Sequence, residues 1–175
     1  MHLNLDEART SVPKGLRDRL EKIWDRAMAV TEETQYLPEN IKSHRIGEPT
    51  KRLNDAVKEV LKDIPRFNNL TLTKQSINLR QTWHIYGRHG DGNENYADQN
   101  PITKETFTLI PNVLEDFDTV KKGKWTKNSK GRDVPSIEIY KVYSNGTIIL
   151  ADAIIENNEL EIKTMVLKKP TEVKL

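Results

Sequence analysis

From Ile137 onward the chain reads as strand, turn, strand, turn, strand. Ile137, Ile139 and Val142 follow the habit of a half-buried strand, with Tyr140 and Lys141 among them. Ser144-Asn145-Gly146 predicts a hairpin, because Asn-Gly accepts the positive φ angles that a type I′ turn demands. Thr147 to Ile155 is a second β-branched and apolar run, and Asn157-Asn158 makes a second tight turn. Leu160, Ile162, Thr164 and Val166 then alternate, which puts Thr164 on the core side with Leu160 and Ile162. The ending is a three-stranded antiparallel meander.

Helical patterns come first. Leu16, Leu20, Ile23, Ala27 and Val30 form the apolar stripe of an amphipathic helix, with Pro13 near its start. Pro49 and Thr50 precede a second stripe, Leu53, Val57, Val60, Leu61 and Ile64, which Pro65 ends. Residues 36–49 read as a polar connector in which His44 is exposed. Past Pro65, Leu70 and Leu72 suggest a short strand, and Ser76 caps a helix through Leu79, Trp83 and Ile85 that ends near Gly87 or Gly90. Residues 91–100 are loop by composition, and Thr103 and Ile110-Pro111 open two short helical turns. Helices followed by an antiparallel sheet give an α+β class. The expected division is a helical N-terminal extension over 1–65 and a small α+β domain over 66–175.

Composition narrows the chemistry. The 175 residues include no Cys, which removes disulfides and thiolate metal sites. No apolar run reaches the roughly 20 residues that span a bilayer, and the N-terminal residues are too charged for a signal peptide, so a soluble, cytoplasmic protein without membrane partners is expected. A net charge of +2 says little about partners. Its distribution says more: Lys121, Lys122, Lys124, Lys127, Lys130 and Arg132 occupy a stretch without acidic residues. That stretch is either a solvated loop or a phosphate-attracting arm in which Trp125 stacks on a base.

The densest cluster is Trp83-His84-Ile85-Tyr86-Gly87-Arg88-His89-Gly90. On a helix His84 and Arg88 share a face, whereas His89 lies about 140° from His84 and joins it only if the helix unwinds first. Two histidines without Cys or an HExxH pattern supply too few zinc ligands, and no serine elbow, P-loop or dinucleotide motif is present. No cofactor or metal is expected. Acid–base work on RNA fits better: one imidazole takes the 2′-hydroxyl proton, a second group protonates the departing 5′-oxygen, and Arg or Lys steadies the charge that gathers on the phosphate. A non-catalytic nucleic-acid- or protein-binding module of the same fold is the alternative.

The order of segments resembles the nuclease-like domains grouped with barnase, EndoU, colicin E5/D and RelE, above all the phage and mobile-element branch. The resemblance rests on His84-Ile85 with Arg88-His89, on Asn100-Pro101-Ile102-Thr103, on Leu109 to Leu114, on Ile139-Tyr140-Lys141 with its hairpin, and on Leu160 to Met165. It spans about residues 70–169 and implies helices packed on a small antiparallel sheet that bears the site. By that resemblance His84, Arg88, His89, Lys141 and Thr164 are catalytic. Lys121, Lys122, Lys124, Trp125 and Tyr140 are the expected substrate contacts. The implied activity is a metal-independent ribonuclease, a toxin or phage effector acting on RNA, tRNA included, with an immunity or inhibitor protein as partner.

Overall fold

The computed structural model describes residues 2–92, 97–128 and 130–170; the loop read at 93–96 lies outside them. Helix α1 (Leu5–Ser11) starts with a reciprocal cap between Asn4 and Glu7, and α2 (Lys14–Ala27) follows directly on Pro13. The apolar stripe of α2 is the face that is buried: Leu20, Ile23, Ala27 and Val30 are at most 5% exposed. Helix α4 (Lys51–Val60) begins where the Thr50 hydroxyl accepts from the Leu53 amide at 3.0 Å. Between them the expected connector carries α3 (Pro38–Ile41) and β1 (His44–Arg45), and His44 is half-buried rather than exposed. A strand of two residues leaves no periodic signal, so pairing alone reveals it.

Leu70 and Leu72 are buried but belong to no strand. The strand begins later, as β2 (Lys74–Ile77), so Ser76 sits in the sheet and Asn78 caps the following helix instead. That helix, α5 (Leu79–His89), opens with a reciprocal box: Asn78 Oδ1 accepts from the Gln81 amide at 2.7 Å and Gln81 Oε1 accepts from the Asn78 amide at 3.0 Å. It stays helical through His89 and is capped at Gly90. Next come β3 (Gln99–Asn100), α6 (Lys104–Phe107) and α7 (Ile110–Glu115). Then follow β4 (Thr119–Lys122), a small hairpin of β5 (Thr126–Lys127) and β6 (Asp133–Val134), β7 (Ser136–Tyr143), β8 (Gly146–Glu156), β9 (Glu159–Glu161) and β10 (Thr164–Lys168).

The fold is α+β, but the sheet is mixed and larger than the small antiparallel one expected, with eight strands among the described residues. Strand β8 is its spine. One edge of β8 pairs with β7, and β9 and β10 share the other edge. Strand β9 carries β2 in parallel, β2 carries β1, and β10 carries β3.

Two irregularities, one on β8 and one beside it, change which side chains face the helices. The returning strand breaks at Ile162-Lys163, and its phase changes there. Leu160 and Ile162 are fully buried, but beyond the break Met165 and Leu167 take over the core and Thr164 turns to the opposite, half-exposed face. On β8, Ala151 and Asp152 stand opposite Glu138 alone, and Asp152 adopts the left-handed φ of 54°. Such a bulge bends the strand and re-aims a side chain. The second turn is tight as expected, but the first differs in geometry. Asn157 and Asn158 have φ of 52° and 63°, the I′ signature, whereas Ser144 and Asn145 are not among the positive-φ residues described. Asn145 instead accepts from the Leu5 amide at 2.9 Å and ties the N-terminus to the hairpin.

One hydrophobic cluster, from Ala8 through Trp24 and Ile46 to Leu167, draws on both sides of Pro65. Trp24 meets Tyr86 of α5 edge-on at 5.8 Å and Phe107 of α6 at 5.3 Å. The helix that bears the histidines is therefore backed by α2.

Candidate active site

A cleft of about 470 Å³ lies between α5 and the irregular part of the sheet. Arg80, His84 and Arg88 stand four residues apart on α5 and so share a face of the helix, and all three line the cleft. The sheet supplies Asp152 from the β8 bulge, and Glu161, Lys163 and Thr164 from around the strand break. Tyr36 and Ser43, and Lys127 and Asn128 from the small hairpin, also line it. Four cations against two carboxylates leave the lining net positive.

The His84 ring is half-buried and tilted against Trp83 at 4.9 Å. Burial, then the charges of Arg80 and Arg88, push its pKa below the ordinary histidine value, against a smaller upward pull from Glu32. Both effects favour the neutral, proton-accepting ring. Lys163 donates from Nζ to Thr126 Oγ1 and to the Lys127 carbonyl, both at 3.0 Å. Burial lowers its pKa too, while Asp152 and Glu161 oppose that shift and Arg80 and Arg88 add to it. Glu161 moves the other way: burial raises its carboxyl, although Gln81 donates to it and thereby joins the α5 cap to the sheet. Arg80 is held at both ends of its guanidinium, by Gln35 Oε1 and by the Tyr36 hydroxyl, each at 3.0 Å.

Of the residues singled out in the sequence, His84, Arg88 and Thr164 meet in this cleft. His89 does not line it. Since α5 does not unwind, the 140° separation stands. His89 Nδ1 pairs with Gln99 Oε1 at 3.1 Å, beside β3. Lys141 is also elsewhere: it shares a strand face with the buried Tyr143 and pairs with Asp116 at 3.0 Å. Tyr140 sits under Lys121, whose Nζ is 4.6 Å from the ring centroid, and Lys122 pairs with Asp63 at 2.6 Å. Lys124 is exposed, and Trp125, 50% exposed, has Arg66 at 5.8 Å. None of these five lines the cleft. The basic stretch is no plain loop, for it forms β4 and the β5–β6 hairpin, and of its cations Lys127 alone reaches the cleft.

Arg80, Asp152 and Lys163 were not singled out from the sequence. Arg80 had a legible signal, one further step of four before His84. Asp152 and Lys163 had none, because their orientation depends on a bulge and a break. Among the described residues no group of three or more histidines and carboxylates is placed to hold a metal ion. Nor is any helix there long and apolar enough to cross a membrane.

An imidazole base set between guanidinium groups, over a sheet that offers an amine and a hydroxyl, matches the needs of a phosphodiester. The class is in fact that of the nucleases, as comparison with known families shows. More narrowly, the chain belongs to the phage-Barnase-EndoU-ColicinE5/D-RelE like nuclease3 family, whose profile matches residues 51–174. No curated protein and no solved structure matches it.

Proposed function

We propose that the chain is a metal-independent endoribonuclease and that the α5–sheet cleft is its active site. His84 Nε2 or Nδ1 takes the proton from a ribose 2′-hydroxyl, whose oxygen attacks the adjacent phosphorus. Arg88 and Arg80 face the phosphate and stabilise the charge that builds on its oxygens. Lys163 gives a proton to the departing 5′-oxygen, and Thr164 donates a hydrogen bond to a non-bridging oxygen. The products are a 2′,3′-cyclic phosphate and a 5′-hydroxyl end. The observation that carries this reading is the Arg80–His84–Arg88 row opposite Asp152, Lys163 and Thr164. The phage association in the family's description favours an effector borne by a phage or mobile element, and an immunity or inhibitor protein is its proposed partner.

The test is cleavage of a panel of RNAs, tRNA included, in EDTA. His84→Ala should lower kcat/KM by about 10²- to 10⁴-fold, the usual weight of a general base. His89→Ala should retain activity. The acid limb of the rate profile should lie below about pH 6.5, because the base must be neutral and its pKa is depressed. No cleavage of any RNA by the unsubstituted chain, or full activity in His84→Ala, would refute the proposal.

A further inference from the structure

The cleft holds one feature that acid–base chemistry does not use. Tyr36 lines it alongside His84, yet 67% of this tyrosine is exposed. An exposed aromatic ring on a free loop is ordinarily mobile. Here it is held: Arg80 Nη2 donates to the Tyr36 hydroxyl at 3.0 Å, and the same guanidinium carbon lies 4.6 Å from the ring centroid. Gln35, itself 8% exposed, fixes Arg80 from the other side at 3.0 Å and takes its own support from Glu32 at 3.1 Å. Asn40 donates to the Thr34 carbonyl at 2.7 Å and braces the loop before α3. The ring is therefore a fixed aromatic plate with a cation behind it, at the mouth of a cationic cleft.

We infer that Tyr36 is the stacking platform for a nucleobase next to the scissile phosphate, so that the segment from Thr31 to Ser43 forms the base subsite of the enzyme. The inference rests on the ribonuclease reading of the cleft. A single-stranded ligand fits the observations because its unpaired bases offer faces to a flat ring while its phosphates meet Arg80, Arg88 and Lys163. The segment precedes the family-matched residues 51–174, so this chain brings its base contact from outside the part that defines the family.

The experiment uses the full chain carrying His84→Ala, which leaves RNA intact, and single-stranded oligoribonucleotides of about ten nucleotides containing one 2-aminopurine. Binding is followed by anisotropy, and stacking by quenching of the 2-aminopurine fluorescence. Tyr36→Phe keeps the ring but loses its bond to Arg80, so it should keep the quenching and bind with an affinity between the parent's and that of Tyr36→Leu, which should bind about 5- to 150-fold more weakly and lose the quenching. With His84 restored, Tyr36→Leu should raise KM far more than it lowers kcat. Parental binding and quenching in Tyr36→Leu would overturn the inference and leave the exposed ring to a protein partner. Tyr36-dependent binding in a chain that cleaves no RNA would sink the nuclease reading and leave the subsite standing. Intact cleavage without any dependence on Tyr36 would do the reverse.

Discussion

A lysine amine inside a cleft can serve a phosphodiester as a fixed cation or as a proton donor. For Lys163 the two roles part under substitution. Lys163→Arg keeps the positive charge but cannot release a proton at any accessible pH. If Lys163 is the acid, the variant should lose about 10²-fold or more in kcat/KM, and the alkaline limb of the pH profile should disappear. That limb should lie below about pH 10.4 in the parent, since burial lowers the pKa of this lysine and activity falls as pH rises through it. Asp152→Asn supplies the control. Asn tolerates the left-handed φ of 54°, so the backbone survives, but the charge that helps keep the proton on Lys163 is gone. The alkaline limb should then move to lower pH. Unchanged profiles in both variants would reduce Lys163 to a simple cation. His84 and Arg88 were legible because a four-residue spacing on a helix survives any packing. Lys163 was not, because it sits in the break itself, where alternation no longer says which way a side chain points.

Elements became legible in proportion to their length and regularity. Helices α2 and α4 carry long 3.6-residue stripes bounded by prolines, and β7 and β8 carry long apolar runs. Strands β1, β2 and β9 are two to four residues long, and their parallel and antiparallel pairing joins distant parts of the chain. No local pattern encodes such contacts. The two turns illustrate the limit further. Asn145-Gly146 has the stronger I′ sequence, but the turn is set by its bonds to Leu3 and Leu5 rather than by positive φ. Asn157-Asn158 bears the left-handed geometry. Asn158→Val should therefore destabilise the fold by about 1–2 kcal/mol, and Asn158→Gly should be neutral or stabilising, as read by chemical denaturation. Equal effects of Val and Gly would mean that the turn relaxes out of the left-handed region at little cost.

At the scale of the molecule, the question is whether residues 51–174, the part that defines the family, suffice for the fold. The packing argues that they do not. Leu20, Ile23, Trp24, Ala27, Val30 and Ile46 all belong to the one hydrophobic cluster, and Trp24 sits directly behind α5. Full burial of a large apolar side chain is worth about 1.5–3 kcal/mol, so this group approaches the whole stability of a typical domain, roughly 5–15 kcal/mol. A chain begun at Lys51 should show no cooperative thermal transition by circular dichroism and should bind an apolar dye. A cooperative transition within a few degrees of the full chain's would make the N-terminal helices a detachable layer. The same truncation removes Gln35 and Tyr36, hence both anchors of Arg80. If the shortened chain folded yet lost activity, the first fifty residues would act through the cleft; if it failed to fold, their first duty would be to hold α5 against the sheet, since His84 reaches the sheet residues only while that helix is pressed from behind.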